Sequence, residues 1–385
     1  MGNRYGTIYY STYTEGRTVP DRHDPYASWE DSLSKEIGIQ DVNIELSGGT
    51  GGTADKTAVR DRVLSGMQPS GLLHVGNLVG ALQNWVKLQQ RYDCYYFVAD
   101  WHALTSNYAD PAVIKQYTDE LVLNFLSAGL DPDRCTVFVQ SAIPQHAELY
   151  VLLSMITPLG WLQRVPTYKE KQFEIKDKDL DTYGFLGYPV LQSADILAYR
   201  AKYVPVGIDQ QPHLEFTREL ARRFNSIYAS DVMVEPEALL TEYPKVVGLD
   251  GRKMSKSYNN CIYLSDTPEE VQTKVRTMMT DPARVRRTDK GDPELSPVYQ
   301  LHKVFSTEEE QQYVADGCRS ASIGCIDCKK IVTKHILTLL EPIWARRKEL
   351  KDSSTLTDVV RAGNARAASV TEESMHLIRE AMRLQ

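Results

Sequence analysis

The chain lacks any apolar run of the roughly 18 residues needed to span a bilayer. Its longest candidate, YVLLSMITPLGWL at 150–162, is broken by Ser154, Thr157, Pro158 and Gly160. It also lacks a charged n-region leading into an apolar h-region, so no secretory signal is expected. Those absences predict a cytoplasmic protein with no membrane partner. Cysteine is scarce, six in 385 residues, which excludes a disulfide scaffold and leaves reduced thiols or a metal site. Basic residues are not in excess either: 44 Lys and Arg stand against 51 Asp and Glu. That balance argues against nucleic-acid binding as the sole business of the chain, because phosphate contacts need cations. Two local basic stretches remain, at 283–290 and 345–351, and each alone reads as a solvated helix face. Two common nucleotide fingerprints are missing as well. The stretch SGMQPSGLLHVGNLVG (65–80) carries glycines at 66, 71, 76 and 80, but it reads neither as GxGxxG nor as GxxxxGK followed by Ser or Thr.

What is present divides into three segments. Residues 1–57 are rich in Tyr, Thr, Ser and Asp and end in LSGGTGGTADKT, which reads as an extension with a flexible linker. Glu15, Asp21, Asp24, Glu30 and Asp31 count against a transit peptide. Over 58–265, strand-like RVLSGM (62–67), CYYFVAD (94–100) and CTVFVQ (135–140) alternate with helical periodicity at 76–89 and 112–130. That alternation predicts an α/β fold with a doubly wound parallel, Rossmann-like sheet. Over 266–385 the strand signals fade, and a helical C-terminal domain is expected.

In a doubly wound sheet, ligands sit at the carboxyl ends of strands, near helix N-termini. HVGN (74–77) follows the first strand, with glycines that let a ligand approach the backbone. At the other end of the α/β segment, GRKMSKSYNN (251–260) gathers two lysines and two serines around Met254. This pair of motifs resembles the HIGH and KMSKS signatures of the class I aminoacyl-tRNA synthetases. KMSKS is matched at every position. HIGH is matched at His74 and Gly76, with Asn77 in place of the second histidine, as is common in the tryptophanyl branch. SGMQPSG (65–71), DWHALT (100–105), YPVLQSADIL (188–197) and VPVGIDQQPHLEFTREL (204–220) also look like the bacterial-type tryptophanyl branch, with the tyrosyl enzymes as nearest relatives. The resemblance covers about residues 60–385.

The resemblance implies ATP-dependent activation of tryptophan to its adenylate and transfer to the 3′-terminal adenosine of tRNA(Trp). The alternatives are a tyrosyl enzyme or a catalytically silent, synthetase-like binding paralogue. Lys253, Lys256 and Lys169 would contact the leaving pyrophosphate, and Gln68 would approach the phosphate. His74, Gly76 and Asn77 would hold adenine and phosphates, Gly207 and Asp209 the ribose, while Met254 and Ser255 complete the mobile loop over ATP, which Mg²⁺ accompanies. Asp195 would accept from the indole N–H, Tyr188 and Gln210 would hold the amino group, and Gln192 and His102 would line the pocket. Taken singly, Asp195 reads as a helix cap, Tyr188 as core and His102 as a satisfied buried histidine. The family is typically a homodimer, and its helical domain binds the anticodon. Some members carry an iron–sulfur cluster on four cysteines. Cys318, Cys325 and Cys328 match the last three, whereas Leu295, beside Ser296, stands where the first should be. Zinc, or three free thiols, are the alternatives there.

Overall fold

The structure is a computed structural model, and it describes residues 8–12, 60–165, 181–207, 210–240, 246–351 and 353–384. Five parallel strands form its sheet: β2 (Asp61–Met67), β3 (Asp93–Val98), β4 (Cys135–Val139), β5 (Tyr203–Val206) and β6 (Glu237–Leu240). A short strand, β1 (Ile8–Thr12), pairs antiparallel with β2. The parallel pairings run β4-β3-β2-β5-β6. Strand order therefore reverses between β2 and β5, which is where such a sheet opens a ligand crevice. Sequence periodicity anticipates the first three parallel strands within two residues, but β6, with the sequence EALL, carries no strand-like composition.

Both faces of the sheet are covered, because alternate strand residues point to opposite sides. On one face the fully buried Tyr96 stacks on Trp85 at 4.7 Å, and Trp85 meets Phe125 edge-on. Trp85 belongs to α1, which runs as Val75–Asn77, a wider π-helical stretch Leu78–Leu82, and Gln83–Leu88. Phe125 belongs to α3 (Pro111–Ser127), which follows α2 (Asp100–Asn107). On the opposite face Phe97 stacks on Phe138, and Tyr95 meets Tyr199. That side is covered by α4 (Pro144–Ile156), α5 (Tyr188–Ala198) and α6 (Gln211–Tyr228).

Beyond the sheet come α7 (Pro268–Thr277), α8 (Pro297–Phe305), α9 (Glu308–Ser320), α10 (Cys325–Lys351) and α11 (Thr355–Ala381). Helix α10 is tied to α3 by Arg347, which donates to Glu120 and Asn124 at 2.7 Å each. Helix α11 returns to the sheet and lies along the open edge of β4. Asn364 Oδ1 accepts from the Val139 N–H at 3.0 Å, and a Cβ on Gly363 would collide with the Val137 carbonyl. A bare edge strand invites pairing with other chains, and here a helix covers it.

Candidate active site

The carboxyl ends of three neighbouring strands supply one cluster of polar side chains. Gln68 follows β2, His102 lies in the first turn after β3 and Gln140 follows β4, while Gly207 and Gln210 stand at the carboxyl end of β5. Asp195 reaches this cluster from α5 and is fully buried. Its Oδ2 lies 2.6 Å from His102 Nε2, and its Oδ1 lies 2.8 Å from His146 Nδ1. Gln140 Nε2 donates across both oxygens, at 2.9 and 3.0 Å. Burial raises the carboxyl pKa, but the contacts with His102 and His146 outweigh it and hold Asp195 below the usual carboxylate range. His146 Nε2 in turn lies 2.9 Å from the Tyr199 hydroxyl. With Nε2 accepting from that phenol, Nδ1 carries the proton that faces Asp195. Tyr188 stands over His102 edge-on at 4.6 Å, and its hydroxyl accepts from Gln68 Nε2 at 3.4 Å. Gln192 is buried one turn before Asp195 on the same helix.

A second group forms where two backbone segments meet. Val75 N–H donates to Ile262 O at 2.9 Å, and Leu264 N–H donates to Leu73 O at 2.9 Å. This short antiparallel pairing sets the start of α1 beside the end of the 251–260 loop. His74 precedes α1, and its backbone N–H is capped by Asn77 Oδ1 at 3.1 Å. A Cβ on Gly76 would stand 2.9 Å from His74 Nδ1, so glycine lets the imidazole fold over the helix start. Burial, then Lys256 and Lys253 nearby, push the His74 pKa down to about 3, so the ring is neutral at physiological pH. Its Nδ1 is buried and has no protein partner.

The loop itself turns at Gly251, with φ +80°, and re-enters the core at Met254, which is buried. Lys253 is exposed. Lys256 Nζ donates to Gly71 O at 3.0 Å and lies 3.4 Å from Ser70 Oγ. Gly71, with φ +127°, supplies a conformation that other residues avoid. Burial lowers the Lys256 pKa to about 8. Ser255 contacts Ser257 side chain to side chain at 3.0 Å. The loop 68–71 joins the two groups, since Gln68 touches Tyr188 and Gly71 receives Lys256.

The expected residues Gln68, His102, Tyr188 and Asp195 thus meet directly, and His74, Gly76, Asn77, Lys253, Met254, Ser255 and Lys256 gather beside them. Lys169 and Asp209 lie outside the described residues. Sequence reasoning missed Gln140, His146 and Tyr199. For Gln140 and His146 the available signal is positional: QSAIPQH begins where a third strand ends, on the side of the sheet that holds ligands, whereas Tyr199 carries no such mark.

The iron–sulfur expectation is not supported. Cys318, Cys325 and Cys328 line one small cleft, together with Asp281, Arg284 and Ser296. Four thiolates normally hold such a cluster, and the fourth place is taken by Leu295 and the buried Ser296. Burial pushes the Cys328 thiol up to about 12 and raises Cys318, while Cys328 Sγ rests 3.3 Å from His302 Nε2. Among the described residues no group of three or more His, Cys, Asp or Glu could hold a metal ion.

Comparison with known proteins bears on this geometry. A family model described as "tRNA synthetases class I (W and Y)" matches residues 56–341. The tryptophan–tRNA ligase of Thermotoga maritima is 53% identical over 326 residues, 84% of this chain and 99% of that protein. The tryptophan–tRNA ligase of Ralstonia nicotianae is 45% identical over 84% of this chain and 98% of its own length. Among solved structures, the tryptophanyl-tRNA synthetase of Campylobacter jejuni, complexed with ADP and tryptophan, aligns with a TM-score of 0.75 at 32% identity, over 82% of this chain and 98% of that one.

Proposed function

Because the chain belongs to the class I tRNA synthetases of the tryptophan and tyrosine type, in the bacterial tryptophanyl branch, we propose a reading of its site as a tryptophan-activating centre. The protein activates L-tryptophan with ATP and charges tRNA(Trp). The tryptophan carboxylate attacks the α-phosphorus of ATP, pyrophosphate leaves, and the 3′-terminal hydroxyl of the tRNA then takes the aminoacyl group and releases AMP. Such displacement needs alignment and charge neutralisation more than a base. Lys253, Lys256 and Lys169 meet the leaving pyrophosphate. Mg²⁺ arrives with the triphosphate and neutralises part of its charge. Neutral His74, with its unpartnered Nδ1, can accept from or donate to the nucleotide without adding charge.

The single observation that carries the pocket assignment is the set of donors around Asp195. His102, His146 and Gln140 keep the carboxylate ionised in a fully buried place. Gln140 spans both oxygens, so it can yield one to an indole N–H and keep the other. A ligand that displaces the Gln140 contact without bringing a donor of its own leaves that oxygen short, and such a site selects against it. ATP–pyrophosphate exchange on the purified protein tests this: it should run with tryptophan, and exchange with tyrosine alone would overturn the pocket assignment.

Two partners follow from surfaces. On the helical part, a groove of about 480 Å³ between α7 and α10 carries Arg276, Lys330 and Lys334, and the 283–290 stretch exposes Arg286, Arg287 and Lys290. These suit the tRNA backbone. Arg347, in the other basic stretch, is spent on α3. A second copy of the chain suits the surface at the end of α4, where Val151 and Met155, and Leu159 just beyond the helix, are exposed apolar side chains with Met155 at 71% exposure. No helix among the described residues is long and apolar enough to cross a membrane, and we place the reaction in the cytoplasm, with the tRNA pool.

A further inference from the structure

Asn260 is a polar side chain outside every role assigned above, and it is 2% exposed. All of its amide capacity is spent on the lysine-bearing loop. Oδ1 accepts from the Ser255 N–H at 2.8 Å. Nδ2 donates to Asp250 Oδ1 at 2.6 Å and to the Lys253 carbonyl at 3.3 Å. Its own carbonyl accepts from the Leu249 N–H at 3.0 Å. The neighbouring chain is built to admit it, since a Cβ on Gly248 would stand 2.2 Å from the Asn260 amide.

We propose that Asn260 is a positioning residue that shapes the loop from which Lys253 and Lys256 act on the triphosphate. This inference rests on the reading of that loop given above. Asn260 grips the residues on either side of Met254, while Met254 itself is buried. Two residues later, Ile262 accepts from Val75 next to His74. The Asn260 side chain therefore fixes the backbone beside both lysines, and the backbone that follows it pairs with the start of α1. Only an amide satisfies this place, because it must offer an acceptor to one neighbour and a donor to two others. Aspartate would set a second carboxylate oxygen against Asp250 and leave the Lys253 carbonyl without its donor.

The test is exchange kinetics with Asn260→Asp and Asn260→Ala, alongside Gly248→Ala, which crowds Asn260 without removing it. The expected result is a drop in kcat of about 10²-fold for misplaced phosphate contacts, a raised KM for ATP, and an unchanged KM for tryptophan, because the Asp195 cluster is not touched. Unchanged kcat and KM for ATP in folded variants would overturn the proposal. So would a parallel loss in every parameter and in melting temperature across all three variants, which is the mark of a merely structural role. The native protein in the same assay separates the two failures. Absence of exchange there removes the reading of the function, whereas native exchange with indifferent variants removes only the role of Asn260.

Discussion

The Asp195 pocket and the 251–260 loop handle charge in opposite ways. In the pocket a carboxylate is withdrawn completely from water, and side chains from three separate elements meet it directly. In the loop the two cations are divided: Lys253 is exposed, whereas Lys256 is partly withdrawn from water and rests on a backbone carbonyl. Selection of one amino acid needs a rigid, desolvated acceptor whose unmet hydrogen bond is costly. Neutralising a leaving pyrophosphate needs cations that can move to meet charge as it develops.

The largest effect should come from the pocket. Asp195→Asn removes the charge that three donors face, and breaking such a buried set costs about 3–5 kcal/mol. Exchange assays should show it as a collapse of kcat/KM for tryptophan, with the KM for ATP little changed. Lys256→Ala should give the complementary picture, with kcat down by about 10²-fold or more and tryptophan affinity intact by equilibrium binding. If both variants lost the same parameter, the division between recognition and catalysis would be wrong.

A smaller effect concerns His74, which lies between the two regions. Its folded pKa, about 3, lies below the ordinary 6.5. As pH falls through 6.5 the unfolded chain takes up a proton that the folded chain refuses. Stability therefore declines over the window from 6.5 towards 3, by at most about 1.4 kcal/mol per pH unit. Urea unfolding at pH 7, 6 and 5 should show a shallower acid decline in His74→Gln than in the native protein. The smallest effect on chemistry should come from Met155→Asp, whose side chain is exposed at the far end of α4 from His146. If the α4 face carries the proposed second copy, light scattering should show the mass of the native protein as two copies and of the variant as one, with the tryptophan KM near its native value.

The loop and the α1 start were legible in the sequence because their residues are contiguous, as in KMSKS and HVGN. The pocket was only half legible. Asp195 and Tyr188 share one short helix, but Gln140 is 55 residues from Asp195, and His146 faces it from another helix. No local pattern marks a contact made by folding. The same holds for β6: EALL has no strand preference, and it becomes a strand because β5 offers it a sheet edge. The three cysteines failed in the opposite direction. Their spacing was suggestive, but a buried serine lines the cleft where a cluster would need a fourth sulfur.

The helix that seals β4 has a consequence for how the molecule is made. Asn364 lies 225 residues after the Val139 N–H it caps. On the ribosome, that strand emerges long before its cover is translated. The sheet that carries the active-site residues thus keeps one raw edge through most of synthesis, a period when unpaired edges promote aggregation. A nonsense codon between Lys351 and Gly363 would remove no residue assigned to tryptophan or ATP, yet it would leave the β4 edge without its cover.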